Sequence, residues 1–229
     1  PFPTFEEFEL ERYPSGKLPT LFNRGCIKRC TCCTERYRWG KFRARKAEHI
    51  MAELTHHAQI LNVRTFNACD MLLNAHVPEL DRLCDQLIAA NMNVVWGGNA
   101  VVRKEMTPAL FHKMARAGVC WLIFGIESGS PRIVERIGKN FSLDDAEHNL
   151  ADCKAAGIDT FINIIVGFPG ETDEDFQQTL DFCRRNRRSF DWIILLAAFE
   201  VFHHTEVVVR PEDFDLPPEQ VADLDEMFG

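Results

Sequence analysis

Short apolar runs that favour β-strands alternate with helical segments along this chain. The predicted strands cover residues 18–23, 63–67, 93–96, 120–126, 160–166 and 192–197. Strands that alternate with helices form parallel βα units with right-handed crossovers, and ligands bind at the carboxyl ends of such strands. A closed barrel has eight units, so six units form an open or three-quarter barrel. The sequence therefore predicts an α/β fold with a parallel sheet, in the form of a partial (βα)6 TIM-like barrel.

Helix-capping residues mark the start of several predicted helices. Thr107, which precedes a proline, opens one helix, and Ser142 and Thr172, each followed by acidic residues, open two more. Such residues accept hydrogen bonds from the unpaired amides of the first helical turn, and early acidic residues favour the helix dipole. The apolar run 192–199 predicts a buried strand and is far too short to span a membrane. Three valines at 207–209 predict an extra strand.

The loop after the first predicted strand carries four of the nine cysteines within eight residues. Cys26, Cys30 and Cys33 have the spacing C-x3-C-x2-C. Three closely spaced thiolates can cap three corners of a cubane iron–sulfur cluster, which leaves the fourth iron open for another ligand. Cys32 cannot easily ligate the same cluster, because the side chains of neighbouring residues in a turn tend to point apart. The spacing therefore predicts a 4Fe–4S site at Cys26, Cys30 and Cys33.

Other roles for these cysteines have weaker support in the sequence. A structural zinc site needs a fourth ligand, and the sequence has neither a second C-x2-C pair nor a histidine pair at a fixed spacing. His56 and His57 are adjacent on a predicted helix and face different directions. A disulfide framework is disfavoured because nine cysteines is an odd number and five of them are scattered through apolar stretches. A non-catalytic iron–sulfur protein for electron transfer or sensing stays open as an alternative.

The charge of the chain is uneven. The net charge of −8 argues against general nucleic-acid binding. Residues 24–46 contain nine Lys or Arg and a single acid, Glu35, whereas every charged residue after Arg210 is acidic. We interpret the basic stretch as partly solvated surface and partly a cationic rim around an anionic cluster and its ligand. No secretory signal and no membrane span are visible, and with its many thiols the protein is predicted to be cytoplasmic.

The cysteine loop, RGCIKRCTCC at 24–33, resembles the radical S-adenosylmethionine (SAM) superfamily, whose signature has this cysteine spacing at the end of the first barrel strand. The segments GIESGS at 125–130 and GFPGET at 167–172 are similar to the turns after the fourth and fifth strands of that family. The phrases ELERYPSGKLPTLFNRGC and HHTEVVVRPEDFDL resemble its cobalamin-associated branch, and the methylthiotransferases are the nearest rival. The resemblance runs from about residue 13 to residue 211.

This resemblance implies a 4Fe–4S cluster and SAM as cofactors. It implies an enzyme in which one electron cleaves SAM to methionine and a 5′-deoxyadenosyl radical, which modifies a C–H bond of an unknown substrate. It also implies a low-potential electron donor of the flavodoxin or ferredoxin type, and cobalamin carried by a domain absent from this chain. Residues 1–17 are then a linker arm to that domain, 18–211 the radical SAM core and 212–229 an acidic C-terminal extension.

Three charged residues that follow predicted strands are candidate SAM contacts. Asp70 would accept hydrogen bonds from the ammonium group of SAM, and its alternative role is a helix or turn cap. Arg103 would pair with the carboxylate of SAM, and its alternative role is a surface salt bridge. Glu127 ends an apolar run, where a buried charge needs a partner, so we expect contact with SAM or pairing with Arg103.

Four further residues complete the predicted cofactor site. Val166 and Gly167 are the candidates for contact with adenine, because glycine lets the backbone approach a flat ligand closely; their alternative role is a tight turn. Ser128 is a candidate SAM contact or a turn residue. The family usually has an aromatic residue where this chain has Cys32, which places Cys32 beside the adenine of SAM. Lys139, which follows a predicted helix, is a candidate to reach the active site, and its alternative role, a solvated lysine, is the one we expect.

Overall fold

The computed structural model describes residues 2–12 and 16–217 of the chain. Its main sheet has six parallel strands that follow one another in the order of the sequence. These strands are β1 (Leu18–Thr20), β4 (Thr65–Ala68), β5 (Val95–Ala100), β6 (Val119–Glu127), β7 (Asp159–Val166) and β8 (Trp192–Ala198). The six predicted strands and their parallel pairing are confirmed.

The helices form a layer against this sheet. In the described part of the chain they are α1 (Glu35–Trp39), α2 (Ala47–Ile60), α3 (Val77–Ala89), α4 (Pro108–Arg116), α5 (Pro131–Ile137), α6 (Leu143–Ala155), α7 (Asp173–Arg185) and α8 (Glu206–Val209). Helices α2, α3 and α4 contact one another in sequence, and α4 also contacts α6. Because right-handed crossovers join strands in sequential order, these helices line one face of the sheet. This arrangement is the predicted partial (βα)6 TIM-like barrel.

A layer of buried apolar side chains lies between the strands and the helices. Phe66, Trp96 and Phe124 of the sheet belong to one buried cluster with Leu54 of α2 and Leu83 of α3. Full burial of a side chain of this kind contributes about 1.5–3 kcal/mol to the stability of the fold. The packing therefore fixes the strand ends from which the site is built.

A short antiparallel ribbon closes the loop that contains the cysteines. Strand β2 (Asn23–Arg24) pairs with β3 (Arg43–Ala44), and the cysteines and α1 lie between the two strands in the sequence. The backbone N–H of Arg45 donates to the carbonyl of Phe22 at 2.9 Å and extends this pairing. The cysteine loop is therefore held at both ends next to the end of β1.

The predicted helix starts at Thr107, Ser142 and Thr172 are confirmed. Each side-chain hydroxyl accepts a hydrogen bond from the backbone N–H three residues later. Ser142 and Thr172 form complete capping boxes, because Asp145 and Asp175 accept in return from the backbone N–H groups of the capping residues. Local sequence therefore determines where α4, α6 and α7 begin.

Two predictions near the end of the described chain are wrong. Strand β8 is an exposed edge strand instead of a buried one, with Trp192 70% and Leu196 65% exposed. Apolar composition indicates a strand but does not reveal which strand lies at the edge of the sheet. The three valines at 207–209 belong to helix α8, and the backbone N–H of Val207 donates to the carbonyl of Thr31 at 3.3 Å, which ties this segment to the cysteine loop.

Within the described residues, every helix is too short or too polar to cross a membrane.

Candidate functional site

The cysteine loop is anchored to the C-terminal end of α5. The backbone N–H of Thr31 donates to the carbonyl of Ile137 at 2.9 Å, and its hydroxyl donates to the carbonyl of Arg136 at 3.0 Å. Carbonyls in the last turn of a helix have no partner within the helix, so they are free to accept these hydrogen bonds. The loop is thereby fixed at Thr31, between Cys30 and Cys32.

Cys26 and Cys30 lie close enough to Cys33 for its sulfur to affect the pKa of both thiols. Burial raises the pKa of the Cys26 and Cys30 thiols, and the sulfur of Cys33 raises both further. The backbone N–H of Lys28 donates to the sulfur of Cys26 at 3.4 Å, and the ammonium of Lys139 acts to lower the pKa of Cys30. The three side chains are partly exposed, and all are free thiols. The loop therefore presents three thiols together beside the end of β1.

The ligands of a cluster are spaced differently from those of a single metal ion. Within residues 2–12 and 16–217, no three Cys, His, Asp or Glu side chains are arranged to hold one ion. A cubane places each thiolate on a different iron, so its ligands are spread around a larger body. The 4Fe–4S site at Cys26, Cys30 and Cys33 stays a prediction of the sequence.

Cys32 shares part of its environment with Cys30. Both side chains pack against a second apolar cluster that includes Phe168 and Val207. Burial raises the pKa of the Cys32 thiol to about 12. A thiol packed in this way behaves as a small apolar side chain.

Glu127 and Lys139 form an ion pair close to the cysteine loop. The Lys139 ammonium lies 2.7 Å from a carboxylate oxygen of Glu127 and donates to the carbonyl of Gly125 at 3.1 Å. The two side chains are only 12% and 13% exposed. Burial acts to lower the pKa of Lys139, but the Glu127 carboxylate and the sulfur of Cys30 raise it above its ordinary value. Glu127 therefore pairs with Lys139 instead of Arg103, and its contact with SAM stays a prediction. The expectation that Lys139 is solvated is wrong.

The backbone around Glu127 is shaped to hold this ion pair. Glu127 has a φ of 67°, in the left-handed region that costs a non-glycine residue about 1–2 kcal/mol. It lies at an irregularity where the pairing of β6 with β7 shifts register between Gly125 and Glu127. Bulges re-aim side chains near functional sites, and such strain persists only where the surroundings enforce it. A Cβ atom on Gly125 would lie 2.6 Å from the Glu127 carboxylate and 2.8 Å from the Lys139 ammonium, so glycine provides the space for the pair.

The pairing of Lys139 with Glu127 is the feature of the site that the sequence pattern did not predict. It follows Gly138, whose φ of 78° ends α5. No helical or strand period connects Lys139 with Glu127, because a turn and the whole of α5 separate them. The available signal was indirect: a carboxylate at the end of a buried strand requires a cation, but the sequence does not say which cation supplies it.

Asp70 and Arg103 have partners within the fold. Asp70 is buried, and its carboxylate accepts hydrogen bonds from the backbone N–H groups of Phe22, at 2.9 Å, and of Asn23. Burial raises the pKa of Asp70 to about 6, although the two N–H groups favour its charged form. Arg103 donates to two backbone carbonyls and pairs with Glu105 at 2.7 Å. Asp70 thus joins the end of β4 to the chain that follows β1, and Arg103 has the salt bridge that was predicted as its alternative role.

Hydrogen bonds join the turn after β6 to helix α7. Ser128 is fully buried, and its hydroxyl lies 3.0 Å from the hydroxyl of Thr179, which also accepts from the backbone N–H of Gly129. The hydroxyl of Ser130 donates to the carboxylate of Asp175 at 2.5 Å. Ser128 therefore has the turn role that was predicted as its alternative, and α7 supports the strand end that carries the ion pair.

Val166 and Gly167 begin the turn after β7. Gly167 has a φ of 79°, and its N–H donates to the carboxylate of Glu171. The carbonyl of Val166 accepts from the backbone N–H of Phe199 at 2.7 Å. A Cβ atom on Gly167 would meet no other atom within 4 Å, so this stretch of backbone is open to an approaching group. The turn role and the predicted contact with a flat ligand are therefore compatible.

Comparison with known proteins decides the class of this protein. The sequence profile of the Radical SAM superfamily matches residues 20–183. The chain belongs to the radical SAM superfamily. The matched region runs from the end of β1 to the last turn of α7, and it includes the cysteine loop and the Glu127–Lys139 pair. Membership of this superfamily implies a 4Fe–4S cluster and SAM as cofactors, which the three thiols of the loop can accommodate.

Two curated relatives of this radical SAM chain are longer proteins. An uncharacterized methyltransferase of Pyrococcus horikoshii is 23% identical over an alignment of 189 residues that covers 81% of this chain and 41% of that protein. A tRNA-2-methylthio-N(6)-dimethylallyladenosine synthase of Pseudomonas paraeruginosa is 28% identical over an alignment of 214 residues that covers 86% of this chain and 47% of that protein. The chain thus spans less than half the length of either relative.

A solved radical SAM structure has the same fold. The radical SAM methyltransferase TsrM from Kitasatospora setae, with cobalamin and a 4Fe–4S cluster bound, matches with a TM-score of 0.76. The match covers 89% of this chain and 41% of that chain at 18% sequence identity. At this identity the similarity supports the architecture of the barrel and no more.

Proposed function

We propose that this chain is the catalytic core of an enzyme that cleaves SAM reductively and directs the resulting radical to a C–H bond of its substrate. The cysteine loop supports this proposal best, because it carries three free thiols with the spacing C-x3-C-x2-C in a chain of the radical SAM superfamily. When bound, the cluster supplies the single electron that divides SAM into methionine and a 5′-deoxyadenosyl radical, which removes a hydrogen atom from the substrate. The protein binds, orients and shields these groups.

Cys26, Cys30 and Cys33 are the proposed cluster ligands, and the ion pair beside them is the proposed site for the amino acid part of SAM. The ammonium of Lys139 suits the carboxylate of SAM, and the carboxylate of Glu127 suits its ammonium group, in charge-assisted hydrogen bonds. The interaction of Lys139 with the sulfur of Cys30 supports a position next to the cluster. Without SAM the two side chains neutralise one another, which avoids an unpaired buried charge.

Val166, Gly167 and Cys32 are the proposed contacts of the adenine ring. The open backbone at Gly167 and the apolar surroundings of Cys32 support this role, since flat ligands bind between apolar walls with a few fixed polar groups. Three other predicted contacts keep the structural partners described above and stand outside the proposal: Asp70, Arg103 and Ser128.

Cobalamin-dependent methyl transfer is the reaction that we propose for the full protein. TsrM is a radical SAM methyltransferase with bound cobalamin, and the Pyrococcus horikoshii relative is named a methyltransferase. We accordingly propose that residues 18–211 form the radical SAM core, that residues 1–17 link it to a cobalamin-binding domain, and that residues 212–229 form a C-terminal extension. Parts of both flanking segments lie outside the described residues.

Methylthio transfer is the second candidate. The Pseudomonas paraeruginosa synthase aligns over 214 residues with 28% identity, whereas the Pyrococcus horikoshii methyltransferase aligns over 189 residues with 23% identity. Both reactions require a low-potential donor of the flavodoxin or ferredoxin type, and the cytoplasm stays the predicted location. Equilibrium dialysis of the full protein with aquacobalamin separates the two candidates. Retention of cobalamin supports methyl transfer, and its absence from the protein favours methylthio transfer.

Anaerobic reconstitution with iron and sulfide, followed by reduction with dithionite in the presence of SAM, tests the proposed activity. We expect methionine and 5′-deoxyadenosine in equal amounts. Cys30→Ala should yield neither product, whereas Cys120→Ala, at an exposed thiol of β6, should yield both. A fully loaded wild-type protein that produces neither compound would contradict the proposal.

A further inference from the structure

Two arginines face each other on the ribbon that closes the cysteine loop. Arg24 of β2 and Arg43 of β3 are direct register partners in an antiparallel pair, and both side chains are exposed. Like charges directly opposite one another on neighbouring strands are destabilising. The fold gains nothing from this pair, which points to a use outside the fold.

The charges on the ribbon have no acidic partner in the described structure. Within residues 2–12 and 16–217, Arg24, Lys41 and Arg43 form no ion pair, whereas Arg45 of the same basic stretch lies 2.6 Å from the buried Glu53. Unpaired exposed cations attract acidic groups over about one Debye length, roughly 8 Å at physiological salt. The ribbon is therefore a local positive surface on a chain whose net charge is −8.

An exposed aromatic side chain lies beside these cations. Trp39 is 36% exposed and lines a cavity of 770 Å³ with Arg24 and Arg43. Trp and Arg are among the residues enriched at the centre of protein–protein interfaces. We name Arg24, Trp39, Lys41 and Arg43 the cationic face.

The cationic face borders the proposed cluster ligands. Gly25 alone separates Arg24 from Cys26 in the sequence. A Cβ atom on Gly25 would lie 3.3 Å from the backbone of Lys41, so the ribbon packs directly against the start of the cysteine loop. A protein seated on this face is therefore held beside the cluster.

On the basis of the function proposed above, we propose that the cationic face docks an acidic protein that delivers single electrons to the cluster. The reduced carrier of that protein loses one electron, and the cluster gains it; no bond breaks and no proton moves in this step. The net charge of the whole chain is negative, so an acidic partner is attracted at local positive surfaces, and the cationic face is one that borders the cysteine loop.

The composition of the face favours a protein over a nucleic acid. Nucleic-acid affinity comes from many phosphate contacts spread along a basic surface. The face instead has only three cations, Arg24, Lys41 and Arg43, on a chain with a net charge of −8. This composition matches a small, transient contact of the kind that electron-transfer partners form, which buries less than about 1,200 Å².

Binding of oxidised flavodoxin, an acidic one-electron carrier, to the reconstituted full protein tests the docking surface. Isothermal titration calorimetry at low and high salt would compare the wild type with Lys41→Gln/Arg43→Gln and with the control Arg187→Gln/Arg188→Gln. The control removes two exposed cations just beyond the end of α7. We expect the first double variant to bind flavodoxin about tenfold more weakly at low salt, with a smaller difference at high salt, and the control to bind like the wild type.

Stopped-flow reduction of the cluster supplies a second readout. Reduced flavodoxin should reduce the cluster of Lys41→Gln/Arg43→Gln about tenfold more slowly than that of the wild type, whereas dithionite, which needs no docking, should reduce both equally. Three results would each overturn the docking surface. The two double variants could bind flavodoxin equally well, or the wild type could fail to bind it. Alternatively, dithionite could reduce the cluster of Lys41→Gln/Arg43→Gln as slowly, relative to the wild type, as flavodoxin does. Failure of the proposed function has a different signature, since the dithionite-reduced protein then releases no 5′-deoxyadenosine from SAM.

Discussion

Removal of the Lys139 ammonium should destabilise the folded protein by about 3 kcal/mol. The Lys139→Met variant keeps the apolar length of the side chain but leaves the Glu127 carboxylate without a cation. Loss of one partner from a buried ion pair lowers the free energy of unfolding by about 3–5 kcal/mol. The Glu127 and Lys139 side chains are 12–13% exposed, so water reaches them slightly and we expect a value at the lower end of this range. The unpaired carbonyl of Gly125 contributes to the same penalty.

Urea and thermal unfolding of the cluster-free protein measure this change. In a domain of this size, a loss of about 3 kcal/mol lowers the melting temperature by about 6–12 °C. The double variant Lys139→Met/Glu127→Gln should recover part of the loss, because the neutral amide removes the buried charge. The control Lys104→Met, at an ammonium that is 81% exposed and 3.9 Å from Asp145, should change the stability by less than about 0.5 kcal/mol.

Additive effects of Lys139→Met and Glu127→Gln would refute this reasoning. Residues in contact show interaction energies of about 0.5–3 kcal/mol in a double-mutant cycle, whereas the effects of independent residues add to within about 0.3–0.5 kcal/mol.

The Glu127–Lys139 pair also has a functional consequence. If it receives SAM, Lys139→Met weakens SAM binding to the reconstituted protein while its iron content stays at the wild-type level. Parallel losses of iron and SAM binding would contradict that role.

Two further predictions concern residues that support the site. Asp175→Asn should lower the stability at pH 7 by about 1–3 kcal/mol, because the carboxylate accepts hydrogen bonds from Arg132 and Ser130. These partners hold the pKa of Asp175 below its ordinary value. The difference in unfolding free energy between the variant and the wild type, measured in urea, should therefore be complete above the unfolded pKa of about 3.9 and be lost as the pH falls below it. A difference that grew on acidification would contradict the assignment. Gly125→Ala should displace the ion pair, because its Cβ atom would lie 2.6 Å from the Glu127 carboxylate, and unchanged SAM affinity in this variant would count against the proposed contact.

Most of the fold could be predicted because each βα unit is marked in the local sequence. The apolar run 160–166 forms a strand, and the helix after it begins at the predicted cap, Thr172. Whether other elements of the fold cover a strand is not determined by the local sequence of that strand. The run 192–197 is as apolar as the interior strands, yet it lies exposed at the sheet edge. The valines at 207–209 adopt a helical turn held by the carbonyl of Thr31, so tertiary contact overrides their preference for strands.

The cysteines of the site could be predicted, but the charge pairing around them could not. The three proposed ligands lie within one loop, so their spacing is visible in the sequence. Glu127 and Lys139 lie on opposite sides of α5, and their contact depends on how that helix folds back against β6. Arg103 is an equally plausible partner in the sequence, but the fold directs it to backbone carbonyls and Glu105. Long-range pairing of this kind is decided by packing that a single sequence does not record.

The iron and sulfide content of the cysteine variants tests most directly whether Cys26, Cys30 and Cys33, without Cys32, hold one cubane cluster. Each position is changed to Ala in the full protein, which is then reconstituted anaerobically and examined by iron analysis and Mössbauer spectroscopy with and without SAM. We predict that Cys32→Ala retains about four irons, one of which responds to SAM, and that each of the other three variants fails to assemble this cluster. Loss of the cluster in Cys32→Ala, together with its retention in any one of the other three, would contradict the assignment.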